Sequence, residues 1–170
     1  MRSTIAPVAR ILVGVVVDRR KAASQWADYV WRPSAVLPGV PDANPWTVLS
    51  SEGEVASFYA GSAEIELYRS HTQFYRENLS SGAPMLWISL HPTESDPPYK
   101  IGGVTADPAE GESYSETGVH LVEAVPMPRA IRDMIDAFVA EHFVELKFLK
   151  RDRDRVNPEA LGRHGLVDED

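Results

Sequence analysis

Arginine, lysine and tryptophan stand together in two short runs in the first fifth of the chain, Arg19-Arg20-Lys21 and Trp31-Arg32. Adjacent cations suit a phosphate or a carboxylate, and tryptophan with arginine leads the residue types that anchor protein interfaces. Arg19, Arg20, Trp31 and Arg32 are therefore the candidate binding residues, and a partner protein is the ligand class they favour. The stretch "WADYVWRPSAVLPG" (26–39) around Trp31 reads as a strand with an aromatic residue on each face. The alternation there does not say which face is inside. Pro33 lacks the N–H that a ladder needs, which predicts an edge strand or a bend at that position.

Other groups with chemical potential are weaker candidates. His91, Glu94 and Asp96 offer nitrogen and oxygen donors of the kind that hold zinc. They fall among Pro92, Pro97 and Pro98, where a polar hairpin loop is expected. Asp107, Glu110, Glu112 and Glu116 sit in "ADPAEGESYSETG" (106–118), which reads as a solvated loop. Gly14 stands alone among valines, and Gly102-Gly103 has neither the spacing nor the following Lys-Ser/Thr of a phosphate cradle. No HExxH, HxH or GxSxG occurs, and there is no cysteine to act as nucleophile, redox pair or cluster ligand. The expectation is a protein without a metal or cofactor, and more readily a binder than an enzyme.

The net charge of −8 argues against nucleic acid and anionic membranes, both of which select basic surfaces. Ile11–Val17 is far too short to span a bilayer and is followed by Asp18 and three cations without a small-residue cleavage pattern. A cytoplasmic protein with no membrane insertion is expected.

The elements that must position these residues change character along the chain. From residue 11 to about 125, short apolar runs alternate with Gly, Pro, Asn and Ser. Ala63, Ile65 and Leu67 against Glu64, Glu66 and Tyr68 is the clearest period of two, with the carboxylates in water. Other strands are predicted at 13–18, 26–36, 46–49, 55–60, 72–76, 86–90, 99–105 and 119–125, joined as an antiparallel meander. After Pro126-Met127-Pro128 the period becomes helical through Ile131, Met134, Ile135, Phe138, Val139, His142, Phe143, Leu146 and Leu149. Each such side chain, once buried, contributes about 1.5–3 kcal/mol, so the helix should pack across the sheet. The predicted fold class is α+β. Residues 8–149 form a single domain, a twisted antiparallel sheet or partly closed barrel with one long C-terminal helix, and 150–170 form a charged, flexible tail. A pleckstrin-homology-like roll is the specific form that this element order suggests.

Taken together, "VGVVVDRR", "WADYVWRPSAVLPG", "PWTVLS", "ASFYAGSAEIELYRS", "VEAVPMP" and "FLKRDRDR" resemble a bacterial domain-of-unknown-function family, number 3305, over about residues 10–155. Members of that family are commonly encoded beside formate dehydrogenase and its accessory genes. The resemblance implies a non-catalytic accessory protein that assembles or matures a formate dehydrogenase-type molybdenum enzyme by binding a subunit or another accessory factor. It carries no catalytic residue and no cofactor. The alternative is a small-molecule binder or enzyme acting on the molybdenum cofactor, molybdopterin-guanine dinucleotide, with Arg19, Arg20 and Lys21 against its phosphates. Nucleotidyltransferases of that kind carry a paired glycine where this chain has Leu12-Val13-Gly14-Val15, and they alternate strand with helix.

Overall fold

The computed structural model describes residues 6–23, 28–116, 118 and 120–156, with side chains through residue 143. Trp26, the start of the expected second strand, and residues 157–170 of the expected tail lie outside the described residues.

Four strands form one sheet: β1 (Ala9–Lys21), β2 (Tyr29–Leu37), β3 (Thr47–Glu52) and β4 (Val55–Leu67), in the order β2-β1-β4-β3. Three form a second, β5 (Met85–Pro92), β6 (Tyr99–Thr105) and β7 (Leu121–Pro126), in the order β6-β5-β7. Every pairing is antiparallel. The described residues also form three α-helices, α1 (Thr72–Leu79), α2 (Pro108–Ser113) and α3 (Arg129–Val156), and a 3-10 turn at Arg69–His71. The α+β class holds, but the single sheet closing toward a barrel does not. β2 lies beside β7 and β4 beside β6, yet among the described residues no ladder joins the two sheets at either seam, so the barrel stays open. The meander is also overturned, because β1 pairs with both β2 and β4. Its unbroken buried run, Val13–Val17, suits a central strand and would be wasted on the edge where a meander puts its first strand.

Inward positions follow the two-residue period. Ile11, Val13, Val15 and Val17 from β1 and Ile65 and Leu67 from β4 meet Leu86, Ile88 and Leu90 from β5. Ile131 and Ile135 of α3 are fully buried in the same core, followed along the helix by Phe138, Val139 and His142, while Met134 is exposed. The apolar stripe is therefore narrower than its sequence suggested. The helix backbone continues to Val156, beyond residue 149, where the domain was expected to end.

Two segments differ from the sequence reading in kind. Thr72–Arg76, expected as a strand, belongs to α1. Its buried positions are Thr72, Tyr75 and Asn78, spaced by three. The Tyr75 hydroxyl accepts the Tyr68 N–H at 2.9 Å, and its ring meets Phe138 of α3 edge-on. Part of the expected acidic loop is α2. Asp107 caps it, accepting from the N–H groups of Ala109 and Glu110, and Pro108 opens it, where a missing N–H costs nothing. Gly111 lets α2 lie directly on Trp87, since a Cβ there would come within 2.3 Å of the indole ring.

Candidate interaction surface

β1 and β4 run 13 residues each, against 6 to 8 for the strands of the second sheet. The larger sheet therefore overhangs the smaller one. Helices α1 and α3 occupy the end where β4 finishes, and the opposite end carries the C-terminal half of β1. There the inward face is only partly covered: Tyr99 of β6 reaches Trp31, and Val17 and Phe58 are buried, but Tyr29 and Val48 are exposed.

Ladder partners in an antiparallel pair share a face, so the register shows what this overhang presents. Val17 is opposite Pro33 and Phe58, Arg19 is opposite Trp31 and Ala56, and Val48 is opposite Phe58. All of these continue the inward face. Trp31 is the hub of the resulting cluster, with ring centroids at 5.7 Å from Phe58, 5.9 Å from Trp46, 6.2 Å from Tyr99 and 6.3 Å from Tyr29. The Arg19 guanidinium lies 4.2 Å from the centre of the Tyr29 ring and 5.1 Å from that of Phe58. Each aromatic pair adds about 0.5–1.5 kcal/mol beyond area burial, and a cation over a ring about 0.5–2 kcal/mol. Phe58 is buried, Trp31 and Trp46 are half-buried, and Tyr29 and Val48 are 44% and 55% exposed.

Trp46 holds a left-handed backbone, φ 71°, which costs a bulky L residue roughly 1–2 kcal/mol. The ring contacts with Trp31 and Phe58, together with its N–H donated to the Tyr59 carbonyl, hold it there.

The structure thus unites Arg19 and Trp31 and separates them from Arg20 and Arg32. Arg20 pairs with Val30, and Arg32 with Asp18, on the other face of the same strands. Arg32 Nε lies 3.6 Å from Glu123 across the β2–β7 seam, an exposed pair worth at most about 1 kcal/mol. Asp18 accepts from the hydroxyls of Ser34 at 3.0 Å and Ser57 at 2.7 Å, tying β1 to both neighbours. Pro33 lies at an edge strand beside a register shift, as its missing N–H required. Tyr29, Trp46, Phe58 and Tyr99 join the site from four separate strands or turns, an association that depends on register rather than sequence proximity.

His91 does not gather Glu94 and Asp96, and no metal-holding group of three such side chains occurs among the described residues. It stacks instead on His120, centroids 3.9 Å apart and 20° between planes, with the bare Gly102 beneath it. Burial first, then the charges of His120 and Lys100, hold the His91 imidazole below its ordinary pKa. The folded state therefore favours neutral His91. Its stabilising effect is complete above the unfolded value of about 6.5, is lost as pH falls through that value, and levels off below the folded one. Melting temperature should decline from about pH 7 to about pH 5, and His91→Gln should flatten that decline.

No helix among the described residues is long and apolar enough to cross a membrane. No curated protein and no solved structure is detectably similar to the chain. The sequence profile of a family described as proteins of unknown function matches residues 12–152, which takes in β1 from Leu12 onward, all of β2 to β7 and most of α3. The chain belongs to that family, DUF3305.

Proposed function

We propose that the chain is a bacterial, cytoplasmic accessory protein without catalytic activity of its own, which binds another protein through the overhanging aromatic face. Its partner, following the resemblance carried by the sequence segments quoted above, is a formate dehydrogenase-type molybdenum enzyme or a factor of its assembly. The observation that carries the protein-binding reading is the Arg19–Trp31 cluster. A cation laid over rings, beside half-buried tryptophans and an exposed tyrosine, has the composition of an interface anchor. It sits where one sheet outruns the other.

The cofactor reading draws less support from the same residues. Its phosphates would need Arg19 and Arg20 together, whereas the ladder alternation sends Arg20 to the face opposite Arg19 and Lys21. The Arg19 guanidinium is also occupied by rings.

Affinity purification of the tagged chain from cells making a formate dehydrogenase and its accessory proteins tests the reading. Recovery of a dehydrogenase subunit or an accessory protein is expected, and recovery of neither removes it. Gel filtration of the active enzyme then separates two roles: a maturation factor leaves, and a structural subunit stays.

A further inference from the structure

The seam between β4 and β6 has a property that the aromatic end lacks. β4 pairs with β1 along almost its whole length but with β3 only over Val55–Tyr59. From Gly61 to Leu67 its second edge has no ladder partner among the described residues. Among the described residues β6 pairs with β5 alone, which leaves its other edge free as well. These two edges lie side by side, with the Ile101 side chain close against Gly61. They frame a cleft of about 510 Å³ that takes in Ser62–Glu64, Glu66 and Ile101–Thr105, with Glu110 of α2 and Tyr114 just after it. A second hollow of about 500 Å³ shares Tyr68 and Glu110 with it, which prolongs the groove toward α1.

Free strand edges accept an additional strand, because each unpaired N–H and C=O supplies half of a ladder hydrogen bond. The charge along this groove defines the strand that fits. Glu64 and Glu66 are two residues apart on the exposed face of β4, and Glu110 projects from α2. The Tyr68 hydroxyl donates to Glu66 at 2.7 Å, and the Thr105 hydroxyl donates to Glu110 at 2.6 Å. Both donors are neutral, so they orient the carboxylates without cancelling their charge. Arg10 Nε, at 3.6 Å from Glu64 and 3.8 Å from Glu66, is the nearby cation, and the described lining includes no lysine or arginine.

We propose that the β4–β6 cleft is a docking groove for an extended, basic segment of a partner protein. Its backbone completes the ladder of one free edge, and its lysine or arginine side chains meet Glu64, Glu66 and Glu110. Side chains two apart on a strand share a face, so the matching pattern is a cation at every second position. Arg10 is the competitor that such a segment displaces.

The test uses the purified full chain and a nine-residue peptide alternating lysine with threonine, followed by fluorescence anisotropy. The peptide should bind at least about tenfold more tightly than its glutamate–threonine counterpart. N-methylation of alternate backbone amides, which removes ladder donors and leaves the charge, should weaken binding by about tenfold. Glu64→Gln with Glu66→Gln should weaken it about fivefold to tenfold and Arg10→Gln should strengthen it, whereas Glu52→Gln with Glu77→Gln, both exposed and away from the groove, controls for the same change in net charge. Amide resonances of Ser62–Glu66 and Ile101–Thr105 should shift on titration. Failure to bind at millimolar peptide, equal binding of the N-methylated peptide, or shifts confined to β3 would each overturn the proposal. Because these readouts use the chain and a peptide alone, they are distinguishable from failure to capture a dehydrogenase on the aromatic face.

Discussion

Asn78→Ala is expected to lower the free energy of unfolding by about 3 kcal/mol, a large fraction of the total for a domain of this size. The Asn78 side chain is 4% exposed and sits where α1, the start of β5 and the segment after β6 converge. Its Nδ2 donates to the Met85 carbonyl at 2.8 Å and to the Ala106 carbonyl at 3.0 Å. Its Oδ1 accepts the Met85 N–H at 3.0 Å. Alanine removes three hydrogen bonds worth about 1 kcal/mol each and leaves the Met85 N–H and the Met85 and Ala106 carbonyls without this partner. Aspartate should be at least as damaging, because it would face two carbonyl oxygens without a proton to give. Urea unfolding with an unchanged m-value is the measurement. A loss below about 1 kcal/mol would mean that the segment after β6 is not held by this side chain.

That residue also shows why part of the fold was hidden in the sequence. Ala63, Ile65 and Leu67 alternate with glutamates, and β4 was legible from them because its outer face is wet. The helix after Pro128 was legible for the same reason, one apolar stripe against charge. α1 was not, because its buried positions are Thr72, Tyr75 and Asn78. Two of those three are polar residues satisfied by internal hydrogen bonds, so a hydropathy pattern skips them. What remains visible, Phe74 beside Tyr75, reads as β. The start of α2 was written plainly in Asp107-Pro108, a capping residue followed by a helix-opening proline. Gly111 made it look like a loop, although that glycine is needed for contact with Trp87.

The candidate site was legible to a similar degree. Residue type alone brought Arg19 and Trp31 forward, and antiparallel pairing placed them opposite each other. The same reasoning brought forward Arg20 and Arg32, which alternation sends to the far face. Face assignment needs register, and register depends on shifts at Val15–Val17 that leave no compositional mark. Trp46, Phe58 and Tyr99 joined the cluster through pairings distant in sequence. The stacked His91 and His120 likewise met only because β5 and β7 are neighbours in the second sheet.

If the aromatic overhang grips a partner, Trp31→Ala should cut capture of that partner by at least tenfold, about 1.4 kcal/mol or more. The indole touches Tyr29, Trp46, Phe58 and Tyr99, so its removal also loosens the fold, and loss of capture alone would be ambiguous. Tyr29→Ala resolves this. Tyr29 is at the strand end and exposed, so its loss should change stability by less than about 1 kcal/mol while removing the ring under Arg19. Arg19→Lys keeps the charge but gives up the flat guanidinium that lies over rings, and should lose most of what Arg19→Ala loses. Arg20→Ala and Arg32→Ala, on the opposite face, should leave capture intact. The order expected in a pull-down is therefore Trp31 and Tyr29 variants weakest, Arg19 variants next, and Arg20 and Arg32 variants like the parent chain. If Arg20 or Arg32 proved indispensable while Tyr29 and Trp31 did not, the outer face of β1 and β2 would be the contact, and the rings would be only the lining of a partly covered end of the sheet.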